Sequence, residues 1–201
     1  MVRRLRHRLA EVTDHLRLDV IVDGTDGLIA RLAGGGLDAV VAFNIPTDER
    51  IRLVASVELP IGLVCLRGLI CDPPASIALA DCLAWPLCLP SEELSLHPRL
   101  LAEIYRQDRA FTIAATSNSI ATLCNMIADG AGVGFMTRPD VTAQPQEGRL
   151  SFIPLRDRRL TEQLGFAVSP TIKPSSELDR ALEEIGSILS EASREAPPLI
   201  P

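Results

Sequence analysis

Apolar positions along the chain follow two spacings in turn, which predicts alternating strands and helices. Residues 16–23 (LRLDVIVD) alternate between apolar and polar and then become apolar throughout. This pattern and the apolar run in 37–43 (LDAVVAF) predict two strands. Between them we expect a helix over 26–33, capped by Thr25 or Asp26 and ended by the positive φ angles that the following glycines allow. This order predicts a βαβ unit with parallel strands, covered on both faces.

The alternation continues along the rest of the chain. Apolar stripes at helical spacing predict helices over 3–15 and 175–193, and two strands are expected within 52–66, separated near Pro60. The remaining predicted elements are helices at 77–84, 98–108, 120–130 and 139–144 and strands at 86–90, 111–116, 132–137, 149–155 and 162–169. Helices and strands that alternate in this way are typical of a doubly wound α/β architecture.

Composition limits the class of protein and its organisation. The 201 residues are 47% hydrophobic with a net charge of −6, which supports a folded core and argues against a nucleic-acid-binding module. Breaks in composition at 69–76 and 156–161 predict that the chain enters a second lobe and returns. The predicted subdomains are therefore 1–67 with 158–201, and 68–157.

Cysteine usage and the absence of targeting signals indicate the compartment. The five cysteines include no CxxC pair and do not cluster with the three histidines, so we expect buried reduced thiols and no metal site. The charged N-terminus has no apolar signal-peptide core after it, and no apolar run approaches the roughly 20 residues of a membrane span. We therefore expect a cytoplasmic protein without membrane contact.

Catalytic patterns are not found. The glycines of GGG and GAGVG match no phosphate-binding loop, and GAGVG lies after a helix, where it ends that helix. Ser117 has no GxSxG context, and no histidine follows His97, which argues against a serine hydrolase. Cys124 lies on an apolar helix stripe, as a core thiol does. We therefore expect neither an enzyme nor a cofactor.

Two predicted helix N-termini that follow strands remain as candidate binding elements. Thr25 and Asp26 begin one, and Ser117, Asn118 and Ser119 begin the other. In an α/β sheet such ends lie at the carboxyl edge of the strands, where backbone amides and the helix dipole favour an anion. The alternative is that these residues only cap their own helices.

In their order, these segments resemble the effector-binding domain of LysR-type transcriptional regulators. The GGGLDAVVAF stretch resembles the family's Gly-Leu-Asp and strand signature, with Asp38 where the family places an acid. Residues 111–141 resemble its most distinctive segment: strand, polar cap, helix, Gly-x-Gly, strand, Pro. Residues 57–66 and 148–155 resemble its crossover strand and the strand leading back to the first lobe. The likeness covers nearly all of 5–193.

The resemblance implies two Rossmann-like subdomains joined by two crossover strands, as in type II periplasmic-binding proteins, with a small, anionic effector bound in the cleft. It implies ligand contacts from three loops, through Thr25, Asp26, Ser91, Glu92, Ser117, Asn118 and Ser119. It also implies a homo-oligomer, a dimer or tetramer, that dimerises through the helices at 3–15 and 98–108. Effector binding would then change how attached DNA-binding domains sit on an operator.

Two elements of the family pattern are missing from this sequence. One is the N-terminal winged helix-turn-helix with its linker helix, so we expect DNA contact only through a domain not present in this chain. The other is the first strand of lobe one with its Ser/Thr-rich loop. We expect either that the chain is a fragment or a truncated reading frame, or that its true start lies upstream. The sheet of lobe one would then have an unfilled position, with backbone groups that lack partners.

Two other classes share this architecture. A solute-binding protein is the alternative function, although it would need export and would rarely carry five reduced cysteines. An enzyme on the same fold would need catalytic acids or a cofactor-bearing cysteine in the cleft, and the residues motivate neither. An effector-sensing domain is therefore the favoured hypothesis.

Overall fold

The computed structural model describes residues 19–145, 147–156, 159–169, 180 and 183–187. The chain divides into two compact units. Unit 1 is Met1–Glu58 with Gln163–Pro201, and unit 2 is Leu59–Glu162. The predicted helix at 3–15 lies outside the described residues, as does most of the one at 175–193, of which 183–187 are helical.

Helices and strands alternate along the described chain, as expected for a mixed α/β fold. The helices are α1 (Thr25–Ala33), α2 (Leu79–Cys82), α3 (Leu96–Tyr105), α4 (Ile120–Ala128) and α5 (Arg138–Thr142), with a 3₁₀ turn at Glu147–Arg149. The strands are β1 (Ala39–Phe43), β2 (Arg52–Leu66), β3 (Leu87–Pro90), β4 (Ile113–Ser117), β5 (Val133–Thr137), β6 (Leu150–Pro154) and β7 (Thr161–Val168), which form a seven-stranded sheet.

Two strands run from one unit into the other. β2 passes from unit 1 into unit 2 after Glu58, and β7 returns to unit 1 after Glu162. Residues 57–66, which resemble the family's crossover strand, belong to β2. The subdomain boundaries predicted after residues 67 and 157 stay a prediction.

Unit 2 is built on a mixed sheet with aliphatic layers on its faces. Its strand order is β4-β3-β5-β2-β6: β3 is parallel to β4 and β5, whereas β2 is antiparallel to β5 and β6. α4 packs on one face through Leu123, Cys124 and Ile127, and Leu100 and Ile104 of α3 belong to a second buried cluster. The three parallel strands therefore end at one edge of this sheet.

Pro60 does not interrupt β2, so the prediction of two strands within 52–66 was wrong. The strand is continuous over 15 residues. Its pairing with β5 begins at Ile61, opposite Thr137, so the missing amide hydrogen of Pro60 lies outside that ladder.

Unit 1 has a smaller described core. β1 pairs with β7 in antiparallel register, from Ala39 opposite Val168 to Phe43 opposite Leu164. α1 packs on this pair through Leu28, Ile29 and Leu32. Gly35, at φ +74°, ends α1 and confirms that one of the three glycines adopts the left-handed conformation.

The strand predicted at 16–23 is not formed where the structure describes it. Residues 19–24 have no strand pairing, and Val20, Ile21 and Val22 are 52%, 42% and 92% exposed. The expected parallel βαβ unit is therefore absent from the described part of unit 1. A β-rich sequence forms a strand only where a neighbouring strand supplies hydrogen-bond partners, and no strand of the described structure pairs with residues 19–24.

All five cysteines lie in unit 2 and all are free thiols, as the sequence predicted. Four are buried: Cys65, Cys82, Cys88 and Cys124. Burial raises the pKa of Cys82 to about 12 and that of Cys124 to about 11, which keeps both protonated at neutral pH. Cys71 is exposed.

Candidate functional site

The candidate site in unit 2 is the edge where β3 and β4 end side by side. Because the two strands are parallel, with Pro90 opposite Ser117, the loops that follow them leave the sheet together. The Ser91 amide donates to the Ser117 carbonyl oxygen at 2.9 Å. The structure therefore brings together two of the loops that the sequence proposed as ligand contacts.

Ser117 and Ser119 form the polar cap of α4. The Ser119 amide donates to Ser117 Oγ at 3.1 Å, and the Thr122 amide donates to Ser119 Oγ at 3.3 Å. Both hydroxyl oxygens therefore act as acceptors, and in the described part of the chain neither hydroxyl hydrogen has a protein acceptor. Asn118, between them, is exposed. These serines therefore do cap their own helix, which was the alternative drawn from the sequence. Because capping uses only their oxygen atoms as acceptors, their hydroxyl hydrogens stay available to a ligand.

The first turn of α4 adds an electrostatic preference. The helix has nine residues with no acidic side chain in its first turn. Among the described residues, no acceptor meets the amides of Ile120 and Ala121, because the Ser119 side chain caps only Thr122. Unpaired amides and the helix dipole at this end favour a negatively charged or carbonyl oxygen.

The loop after β3 presents an acid beside these donors. The Ser91 hydroxyl donates to the Glu93 carboxylate, and this hydrogen bond is the main reason that the pKa of Glu93 lies below its usual value. Glu92 is exposed. The hydroxyl hydrogen of Ser91 is thus used within its own loop. Among the described groups at this edge, the hydroxyl donors left for a ligand are those of Ser117 and Ser119.

Thr25 and Asp26 lie in unit 1, and their roles differ from the predicted one. α1 begins at Thr25, its cap residue is Gly24, and no side chain caps it, so the predicted cap by Thr25 or Asp26 was wrong. The Thr25 hydroxyl donates to the Phe43 carbonyl oxygen at 3.0 Å, which ties the start of α1 to the end of β1. Asp26 is exposed in the first turn, where its charge suits the helix dipole.

Sequence reasoning missed Arg138, which follows β5 at the same edge of the unit 2 sheet. Its guanidinium carbon lies 4.6 Å from the centre of the Phe152 ring, and within the described structure its buried Nε has no hydrogen-bond partner. A signal was present, because Thr137 and Asp140 form a capping box at the start of α5. That box fixes where the Arg138 backbone leaves the sheet.

The capping box contains a buried acid. Asp140 Oδ2 accepts from the Thr137 amide at 3.0 Å and from its hydroxyl at 2.7 Å. Burial raises the pKa of Asp140, and these two hydrogen bonds partly oppose that effect. Both donors belong to Thr137, the cap residue of the same helix, so Asp140 has a structural role.

The described residues offer neither a metal site nor a membrane-spanning helix beside these donors. Within the described residues, no group of three or more His, Cys, Asp or Glu side chains has the geometry to hold a metal ion. No helix in the described part of the chain is long and apolar enough to cross a membrane. The site therefore consists of hydrogen-bond donors around a helix N-terminus, an arrangement suited to holding a ligand.

A mixed α/β fold with a seven-stranded sheet of this kind belongs to the type II periplasmic-binding-protein class. The sequence matches the family described as LysR substrate binding domain over residues 2–189. The chain therefore belongs to the LysR substrate binding domain family, a class of ligand-sensing, non-enzymatic domains found in transcriptional regulators. This match confirms the resemblance drawn from the sequence.

Solved structures agree on the fold. The CcmR regulatory domain of Synechocystis PCC6803 in complex with 2-PG is similar with a TM-score of 0.75 at 9% identity, over 98% of this chain and 93% of that chain. The BenM effector binding domain with its effector benzoate has a TM-score of 0.69 at 19% identity, over 98% and 89%.

A third structure shows the size difference from some relatives. The OxyR C206 mutant of Corynebacterium glutamicum has a TM-score of 0.66 at 16% identity. The match covers 96% of this chain but only 61% of the OxyR chain. A comparison with curated protein sequences finds no match. At these identities, the structural likeness shows the fold.

Proposed function

We propose that the chain senses a small carboxylate-bearing metabolite for a LysR-type regulator, and that the ligand binds at the carboxyl edge of the unit 2 sheet. The observation that carries this proposal is the backbone hydrogen bond from the Ser91 amide to the Ser117 carbonyl oxygen, 2.9 Å long. It holds the two loops together beside the uncapped amides of α4. Two hydroxyl donors and the Asn118 amide surround those amides. Such donors suit a carboxylate, and they supply no chemical step.

The neighbouring structures support a carboxylate class. The BenM domain is solved with its effector benzoate, and the QuiR domain is solved in complex with shikimate. In our proposal Ser117, Asn118 and Ser119 contact the ligand, Ser91 and Glu92 border it, and Thr25 and Asp26 remain candidate contacts from unit 1. The Glu93 carboxylate next to Ser91 favours a ligand with a hydroxyl group on that side, because a carboxylate accepts hydrogen bonds.

A binding experiment tests the site. A thermal-shift screen of small carboxylates that includes benzoate and shikimate is followed by calorimetry on the full 201-residue chain. The Ser117→Ala, Asn118→Ala double variant should bind the ligand so found about 10- to 100-fold more weakly, since hydrogen bonds to a charged group are lost. Ser119 is kept, so the α4 cap stays intact.

A matched control comes from the same helix. Asn125→Ala changes an exposed amide one turn farther along α4 and should leave the affinity unchanged. Unchanged affinity in the double variant would refute the site. Binding of neutral or cationic compounds alone would refute the carboxylate class.

We further propose that the chain forms homo-oligomers, dimers or tetramers, in the cytoplasm, and that DNA is contacted through a winged helix-turn-helix of the whole regulator. α3, one of the helices named for dimer contact, ends in Tyr105, which is 68% exposed next to the edge strand β4 with Ile113 at 46%. Covering such a surface with a second copy would remove apolar area from water. Light scattering at tens of micromolar tests this; a monomer there would contradict it.

A further inference from the structure

Glu162 is a carboxylate at an inward position of a strand whose other inward residues are aliphatic or aromatic. It is 3% exposed, in β7, between the half-buried Thr161 and the exposed Gln163. Burying a charge is costly unless the charge is paired and hydrogen-bonded. Glu162 has both kinds of partner: Arg99 Nη1 lies 3.5 Å from Oε1, and the Ser95 hydroxyl donates to Oε2 at 3.4 Å.

Both partners belong to the start of α3, and that turn also holds the loop after β3. The Leu94 amide donates to the Ser91 carbonyl oxygen at 3.0 Å, and the His97 amide donates to the Leu94 carbonyl oxygen at 3.0 Å. His97 Nδ1 donates to the Pro90 carbonyl oxygen at 2.7 Å, since a carbonyl only accepts. The loop that reaches the candidate site is therefore anchored to the same turn as Glu162.

We propose that Glu162 is a positioning residue that couples the effector-binding edge of unit 2 to strand β7. The inference rests on the function proposed above. One continuous set of contacts leads from Ser117 to Ser91, from Ser91 to the first turn of α3, and from there to Glu162. Glu162 is the last residue of unit 2 before β7 enters unit 1. A ligand that shifts the Ser91 loop therefore shifts the groups that hold this strand.

The other end of α3 supplies a matched control. Glu103 is also buried, at 7% exposure, and is also paired with an arginine, Arg106, on the same helix. This pair lies within one helix and touches neither β7 nor the Ser91 loop in the described contacts. Glu103→Gln and Glu162→Gln thus remove the same charge from two buried ion pairs, only one of which belongs to the proposed coupling.

Hydrogen exchange on the full chain without ligand gives the first measurement. In Glu162→Gln, the amides of Ser91, Leu94 and His97 and those of Gln163–Val168 should exchange about tenfold faster than in the wild type, because the contacts that protect them open more often. In Glu103→Gln, faster exchange should be confined to the last turn of α3. Equal exchange profiles in the two variants would overturn the proposal.

Benzoate at millimolar concentration gives the second measurement, which a purely structural role would not affect. In the wild type it should protect both the first turn of α4 and the β7 amides. In Glu162→Gln the protection of α4 should remain while that of β7 is lost. If benzoate still protects β7 in this variant, the coupling is contradicted. If neither benzoate nor the other carboxylates bind the wild type, the proposed function is contradicted. The exchange measured without ligand then still decides the coupling.

A variant that fails to fold does not end the test. Ser95→Ala removes the hydroxyl hydrogen bond to Glu162 and keeps the ion pair with Arg99, so it should fold and show the same pattern at smaller amplitude. The Arg99→Met, Glu162→Gln double variant removes both charges of this ion pair. If it restored slow exchange in β7 and also restored the benzoate response there, the coupling would not depend on these groups and the proposal would be wrong.

Discussion

Unit 2 and the described part of unit 1 are built to different degrees of completeness. In unit 2, five strands carry two clusters of buried side chains, and both sheet faces are covered. In unit 1, the described core is a single cluster around α1 and the β1–β7 pair. The apolar residues Val20, Ile21 and Val22 precede α1 in sequence but are exposed. Packing therefore constrains unit 2 more tightly than the described part of unit 1.

Among the described residues, most of the buried side chains belong to unit 2. Burial of apolar area is the main favourable contribution to folding, and unit 2 buries most of the described aliphatic side chains. The candidate ligand contacts of unit 2 therefore lie at the edge of a sheet with two buried clusters, whereas Thr25 and Asp26 lie beside the single described cluster of unit 1.

The largest expected effect is the loss of a fully buried phenylalanine from either unit. Phe135 of β5 and Phe166 of β7 are both 0% exposed. Phe135→Ala should lower the free energy of unfolding by about 3–5 kcal/mol, and Phe166→Ala by an amount near the lower end of that range. Trp85, the single tryptophan, lies in unit 2, so its fluorescence in urea reports on that unit. A Phe166→Ala variant that shifted the tryptophan transition as much as Phe135→Ala would show that the units unfold together.

A smaller effect is expected from an added methyl group at close backbone contacts. A Cβ on Gly132 would lie 2.2 Å from the Pro86 carbonyl oxygen, which is backbone of unit 2. A Cβ on Gly165 would lie 3.0 Å from the flexible end of Ile45 in unit 1. Gly132→Ala should cost about 2–3 kcal/mol and Gly165→Ala about 1 kcal/mol or less, since a side chain can move. Gly148→Ala, with open space around it, is the control, and thermal unfolding is the measurement.

Helix caps provide a still smaller contrast. Ser119→Ala removes the side-chain cap of α4 and should cost about 1 kcal/mol. α1 has no side-chain cap, and its cap residue, Gly24, has an extended conformation that serine adopts readily, so Gly24→Ser should gain a few tenths of a kcal/mol at most. Both changes are measured by urea unfolding followed by circular dichroism. A gain at Gly24 as large as the loss at Ser119 would show that the start of α1 limits the stability of its unit.

The smallest effect is expected in the exposed segment. Val22→Ser should change the free energy of unfolding by no more than about 0.5 kcal/mol, because that side chain is 92% exposed. Val40→Ser, at a 4% exposed position of β1, should cost about 2 kcal/mol or more. Similar losses in both variants, measured by calorimetry at dilute concentration, would mean that the segment is packed in solution and would remove the contrast between the units.

Much of unit 2 could be predicted from the sequence because its apolar spacing and its glycines agree with its tertiary contacts. The bounds of β3, β4 and β5 were predicted to within two residues. Gly130, at φ +85°, follows the end of α4, where the sequence placed a helix stop. The strand at 16–23 could not be judged in the same way, because its residues favour a strand and its partner decides whether one forms. Pro60 misled for a similar reason: whether a missing amide matters depends on the register of the neighbouring strand.

The candidate site was predicted in part. That the loops after β3 and β4 meet follows from parallel strands, and the contact between Ser91 and Ser117 agrees with it. The tie from Thr25 to Phe43 was not predictable, because it depends on how α1 returns to β1. The pairing of Glu162 with Arg99 has no local signature, since its members are distant in sequence and each resembles an ordinary surface charge.

The burial of four thiols in unit 2 has a consequence for handling the protein. While unit 2 is folded, oxidants do not reach these buried sulfur atoms, which remain protonated thiols. When unit 2 unfolds, they become accessible together with Cys71, and disulfides formed between them then prevent refolding. Storage without a reducing agent would thus convert a reversible transition into progressive, one-way inactivation, at a rate set by how often unit 2 opens.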